Sequence, residues 1–303
     1  MLPNSLFPLV DDLKTVPGIR AIAIGGSRAR GSGDASSDTD LGLYYDAREP
    51  LAIDVLDQVA VKHDEGNQSG LVTSIGGWGL WINGGGWLQV NGTRVDLLYR
   101  ETSKMESEIS RSIDGHYEVA HQPGHPFGFL SSIYTGEVAV CHPLWDPADW
   151  LATQKNRLKI YPELLRGELA RRFGFQAGFS LLIAEKPVQR SDVAYVAGCL
   201  FHAMTCLQVV LFALNREYWL NEKGALKFVE RFPIAPPGFR ERVERVWRLV
   251  GTDSAALVDA IAMAQELNED VAKLAEPEGL RADLSSAFRT KTIQPRIDTN
   301  KHE

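Results

Sequence analysis

Cysteine is scarce in this chain of 303 residues: Cys141, Cys199 and Cys206 stand alone, with no CxxC pair and no Cys/His cluster at zinc spacing. Structural zinc and a disulfide framework are therefore not expected, and reduced thiols fit a cytoplasmic setting. Basic charge is also short. Thirty-two Lys and Arg against 39 Asp and Glu leave a formal net charge of −7, the reverse of the positive footprint that binders of long nucleic acids carry. The N-terminal stretch MLPNSLFPLVDDLK has no basic segment leading into a long apolar run, so it lacks the form of a secretory signal. No repeat or low-complexity tract is visible. At 44% hydrophobic and 23% charged residues the composition sits near the globular average and allows a sizeable core.

One stretch calls for a membrane test. Between Asp192 and Arg216 the chain runs VAYVAGCLFHAMTCLQVVLFALN without a charge, long enough to span a bilayer. His202, Thr205, Gln208 and Gly198 interrupt it, its flanks carry charges of both signs, and the amphipathic helices around it need a central partner. The expectation is a soluble, cytoplasmic protein with this run as a buried bundle helix. It should cover the apolar residues of the preceding helix, Leu164, Leu165, Leu169, Phe173, Phe175, Phe179 and Leu182.

The length suits two domains of about 100–200 residues each, and the texture changes near position 147. Before it the chain is rich in Gly and in short β-type runs. Ile19–Ile24 leads into GGSRARGSGDASSD, and Leu41–Tyr45 reads as a second strand. Apolar residues at helical spacing predict a helix over 51–63. The runs 87–90 and 93–99 flank Asn91-Gly92, whose residues tolerate the positive φ of a type I′ hairpin turn. That turn sets Val90 opposite Thr93, Leu88 opposite Val95 and Trp87 opposite Asp96. The Gly-rich stretch 76–86 is a second hairpin or a loop. From Pro147 onward helices are expected over about 147–159, 163–185, 191–214, 221–231, 238–250 and 253–275, with Ser191 and Thr252 as N-caps. The fold class is thus α+β, a mixed sheet with flanking helices followed by a helical bundle.

The chemistry concentrates in Gly25-Gly26-Ser27, ten further residues, and Asp38-Thr39-Asp40-Leu41. Asp38 and Asp40 are two apart, so on an extended chain they leave the same face, while Leu41 and Leu43 take the other. Two carboxylates at one point are costly unless a cation joins them, and hard oxygen ligands suit Mg²⁺ held together with phosphate oxygens. The hairpin supplies a third carboxylate, Asp96, in the otherwise apolar run VDLLY, where an Asp needs a partner or a metal. Three carboxylates on neighbouring strands beside a Gly-Ser turn point to metal-assisted phosphoryl or nucleotidyl transfer. Arg28 and Arg30 follow the turn, as phosphate contacts or as solvated loop residues. His116, His121 and His125 fit no standard metal spacing and read as loop or substrate-lining residues.

This order of GGS, DTDL and a later strand Asp resembles the DNA polymerase β-type nucleotidyltransferase superfamily over residues 15–100. The sheet region followed by helices resembles, more loosely, its small-molecule members of the aminoglycoside and lincosamide type. The resemblance implies a nucleotidyltransferase domain over 1–146, an acceptor-binding helical bundle over 147–288 and a flexible tail over 289–303. It implies that Gly26 and Ser27 hold the β- and γ-phosphates of ATP or another nucleoside triphosphate, and that Asp38 and Asp40 bind two Mg²⁺ ions. Asp96 would bind one of these and help deprotonate the acceptor, with Glu101 as the alternative base. Lys223 and Tyr218, from the helical region, would reach the triphosphate. The expected reaction moves AMP from ATP to a hydroxyl of a small molecule, antibiotics being one class. A protein-adenylylating regulator of the antitoxin type and a non-catalytic nucleotide-binding module are the alternatives.

Overall fold

Strands form where apolar and polar residues alternate. β1 (Ile19–Ile24), β2 (Thr39–Tyr45), β3 (Gly85–Val90), β4 (Thr93–Glu101) and β7 (His142–Trp145) make a mixed sheet in the order β3-β4-β2-β1-β7. β2 and β4 are parallel; β1 is antiparallel to β2 and β7, and β3 to β4. β5 (Val119–Ala120) and β6 (Phe129–Leu130) form a small separate pair. The computed structural model describes residues 2–31, 33, 37–188, 190 and 192–280. Asn91 and Gly92 have φ of 48° and 75°, as a type I′ turn requires, and the β3–β4 register sets Trp87 opposite Asp96.

Leu41, Leu43, Val95, Leu97 and Tyr99 leave one face of the sheet and are fully buried. They share a core with Leu9 and Leu13 of α1 (Phe7–Leu13) and with Leu56 and Ala60 of α3 (Ile53–His63). At about 1.5–3 kcal/mol per buried large apolar side chain, this layer anchors the sheet. The opposite face carries Asp40, Tyr44, Asp96 and Arg100. Near it lie α2 (Gly26–Ala29), α4 (Thr102–Ile113) and α5 (Ile133–Val140). α4 escapes the sequence reading because its apolar stripe is narrow, Met105 and Ile109 on a largely polar helix, and the short helices α1 and α5 escape it as well, α5 because it has no strong apolar period.

The remaining helices are α6 (Trp150–Arg157), α7 (Glu163–Val188), α8 (Val193–Leu214), α9 (Ala225–Val229), α10 (Phe239–Leu249) and α11 (Ser254–Ala275). Among the described residues the chain divides into two compact units, residues up to Glu168 with Phe212–Arg231, and Leu169–Leu211 with Phe232–Leu280. The boundary expected at 146/147 is therefore displaced, and side chains explain why. In the first unit Trp150 of α6 donates to Glu106 Oε1 at 2.6 Å and its ring lies 5.4 Å from Tyr44. Lys155 caps α5 by donating to the carbonyls of Val138, Ala139 and Cys141. Segment 212–231 belongs there too, through Tyr218 on Tyr161, Trp219 near Phe127, and Arg216 bonded to Glu163 at 2.6 Å.

In the second unit α10 and α11 pack together, with Arg242 on Asp270 at 2.8 Å. Asp253 rather than Thr252 caps α11, its carboxylate accepting from Ala255 N. The expected cap Ser191 and the tail 289–303 lie outside the described residues. In α8, 78% of the apolar window is buried, as a core helix requires. On α7, Leu165, Leu169 and Phe173 are buried, but Leu164, Phe179 and Leu182 are exposed, contrary to the expectation that all seven residues are covered.

Candidate active site

The three aspartates come together on the polar face of the sheet. Asp40 and Asp96 are register partners on the parallel strands β2 and β4, and Asp38 immediately precedes β2. All three line one cavity of about 840 Å³, together with Gly25, Gly26 and Ser27. The turn and the carboxylates are built as a unit. Gly25 N donates to Asp40 O at 2.9 Å, and Gly26 has a φ of 57°. The positive φ favours glycine at this position, and a Cβ there, 1.7 Å from Asp40 Oδ2, would displace this carboxylate.

Burial and the neighbouring charges of Asp96, Glu137 and Asp38 push the Asp40 carboxyl up to about 6, against the pull of Lys223. Asp96 is also raised, by burial first and then by Asp38, while Lys223 and Arg94 oppose the shift. Arg94 Nε pairs with Asp38 Oδ1 at 2.8 Å. On the same face Arg100 is buried and forms a two-pronged bond to Glu137 of α5, at 2.7 and 2.8 Å, and both residues line the cavity. Burial opposes its charge, but Glu137 outweighs that and holds the guanidinium protonated.

Cations line the cavity as well. Lys223, Lys227 and Arg231 recur every fourth residue through α9 and its flanks, and all three belong to the lining with Arg30. Lys223 does not open a helix of a second domain. It sits in the turn before α9, within the first unit. Sequence reasoning missed Lys227 and Arg231, although their spacing was a visible signal. It also missed Arg100 and Glu137, which only the packing of α5 brings together.

Other expected residues take different places. Arg28 does not line the cavity; its guanidinium donates to Ser37 O at 2.6 Å and Asp38 O at 3.2 Å, pinning the loop that presents Asp38. Arg30 lines it but is tied up, donating to Tyr218 O and lying 4.8 Å from the Phe228 ring centre, with burial bringing its pKa down to about 10. Tyr218 supplies that carbonyl, and its hydroxyl, 3.4 Å from Leu158 O, is not on the lining. Glu101 is the N-cap of α4, accepting from Ser103 N and Lys104 N, and it too stays off the lining. Of the three histidines only His125 lines the cavity, with burial holding its pKa down.

Among the described residues no three His, Cys, Asp or Glu side chains form a ready-made metal centre. Asp38, Asp40 and Asp96 nonetheless make a donor set suited to Mg²⁺, which takes one or two carboxylates and completes its shell with water and phosphate oxygens rather than with an all-protein cage. Their crowding, seen in the raised pKa of Asp40, is the strain that such a cation relieves.

No protein-family model matches the chain, and no curated protein matches it. Among solved structures it is similar to a nucleotidyltransferase-like protein from Exiguobacterium sibiricum 255-15, at 10% identity and a TM-score of 0.43, covering 88% of this chain and 74% of that one. A likeness of that degree adds nothing to the side-chain geometry, on which the functional reading rests.

Proposed function

We propose that this chain is a Mg²⁺-assisted nucleotidyltransferase that moves AMP from ATP to a hydroxyl of a small-molecule acceptor, releasing pyrophosphate. The observation that carries this reading is the register pair Asp40 and Asp96, with Asp38 just before β2, in one cavity that is also lined by the Gly26-Ser27 turn and a row of cations. A triphosphate needs both: carboxylates near the reacting phosphorus for divalent cations, and cations along the leaving phosphates.

Asp38, Asp40 and Asp96 would hold the Mg²⁺, which when bound offsets charge on the transferred and leaving oxygens. The Gly26-Ser27 turn receives the phosphates, with Lys223 and Lys227 drawing charge toward the leaving pyrophosphate. Asp96, its proton affinity raised by burial, accepts the proton of the acceptor hydroxyl. The acceptor oxygen forms its bond to the α-phosphorus as the bond from that phosphorus to the bridging oxygen breaks. Arg28 stays off the cavity lining and holds the Asp38 backbone in place, while the Arg100–Glu137 pair lines the cavity and adds the Glu137 charge that Asp40 feels.

The test is an acceptor screen with ATP and Mg²⁺, scored by pyrophosphate release and by label transferred from α-phosphate-labelled ATP. Transfer by the native chain, reduced at least about 10²–10³-fold in Asp40→Asn, is expected. Full activity in that variant would end the reading.

A further inference from the structure

Trp87 on β3 is 64% exposed, an indole standing in water at the edge of the sheet. It is the antiparallel partner of Asp96, so the two side chains leave the same face with Cβ atoms about 4.5–5.5 Å apart. The next pair on that face is Gln89 with Arg94. A second indole backs the first: Trp78 stacks on Trp87 with ring centres 4.6 Å apart and planes inclined by 23°.

The seat of Trp78 is built. Its carbonyl accepts from Gln122 Nε2 at 2.8 Å, and the buried Gln122 also accepts from Ile82 N at 3.4 Å, fixing both ends of the intervening turn. Gly85 lies beneath it, where a Cβ would meet Leu97 O at 1.8 Å and the Trp78 ring at 2.9 Å. The outer indole surface stays open, next to the carboxylate assigned the acceptor proton.

We propose that the Trp78–Trp87 stack is the acceptor platform. It takes a ring with one open face, saturated or aromatic, and turns a hydroxyl on the ring edge toward Asp96. Gln89, Arg94 and Asp96 supply hydrogen-bonding groups from the same sheet face, so a ring lying on the indoles meets an amide, a guanidinium and a carboxylate along its rim. An open-chain polyol offers the hydroxyls without a surface to cover the indoles. The delivery of a hydroxyl to Asp96 rests on the transfer reading above; the binding of a ring does not.

The test therefore reads binding and transfer separately. The full chain is labelled with ¹⁵N at its tryptophan indoles, and the signals of Trp78 and Trp87 are identified with Trp78→Phe and Trp87→Phe. Methyl β-glucopyranoside, 4-hydroxybenzyl alcohol and sorbitol are then titrated. Both assigned signals should shift with one of the two ring compounds and not with sorbitol; which ring moves them distinguishes a saturated from an aromatic acceptor. Trp87→Ala should weaken that ring about tenfold, and Trp87→Phe should restore most of it. Indoles unmoved by both rings, or moved equally by sorbitol, would overturn the platform. Ring binding without any pyrophosphate release would leave the platform standing and remove the transfer reading. Transfer with an unchanged acceptor KM in Trp87→Ala would do the opposite.

Discussion

Along β2 and β4 alternate residues meet opposite conditions. On one face Leu41, Leu43, Val95, Leu97 and Tyr99 are each 0% exposed against α1 and α3. On the other, Asp40 and Asp96 stand side by side, and the carboxyl of Asp40 is pushed up to about 6. The first face contributes stability and the second reduces it, within the same hydrogen-bonded ladder. A strand pair that keeps two carboxylates in register, where apolar or neutral residues would be more stable, is what the proposed metal and triphosphate site requires.

Replacing a buried Leu on the apolar face and a crowded carboxylate on the polar face should therefore act in opposite directions, with the Arg100–Glu137 pair as a stabilising exception on the polar side. Leu97→Ala, on the apolar side, should cost about 3–4 kcal/mol in a denaturant titration, since a fully buried Leu leaves a cavity that the ladder cannot close. On the polar side, Arg100→Leu should cost about 3 kcal/mol by leaving Glu137 without its partner, and Arg100→Leu combined with Glu137→Leu should recover most of that loss. A double variant no more stable than the single one would contradict the pairing.

The smallest effect has the reverse sign. Asp40 carries a folded-state pKa of about 6, above its ordinary value of 3.8, so the folded form binds more protons between about pH 4 and 6. Its contribution to stability falls as pH rises through that window and is constant above it. Asp40→Asn should be more stable than the native chain by about 1–3 kcal/mol at pH 8, with the gap closing toward pH 4 in thermal denaturation. A constant gap, or a less stable variant at pH 8, would show that Asp40 is not strained.

Much of this contrast is legible in the sequence because it is local. The Asn91-Gly92 turn fixes the register that puts Asp96 opposite Trp87, and the two-residue spacing sends Asp38 and Asp40 away from Leu41. What escapes the sequence depends on distant packing. Glu137 lies 37 residues beyond Arg100 on a helix with no strong apolar period. The helical texture of 147–168 and 212–231 hides their place in the first unit, which Trp150, Lys155, Arg216 and Tyr218 decide through contacts across long separations. Glu101 illustrates the same point, because its position at the end of β4 reads as catalytic until its carboxylate is found capping α4.

The central claim, that the polar face of the ladder is a metal and triphosphate site, is tested most directly by a crystal structure with Mn²⁺ and a non-hydrolysable ATP analogue. The account predicts anomalous Mn²⁺ density coordinated by Asp40 together with Asp38 or Asp96, and the phosphates against the Gly26-Ser27 turn. A triphosphate bound elsewhere, or no Mn²⁺ at these carboxylates with the nucleotide present, would contradict it.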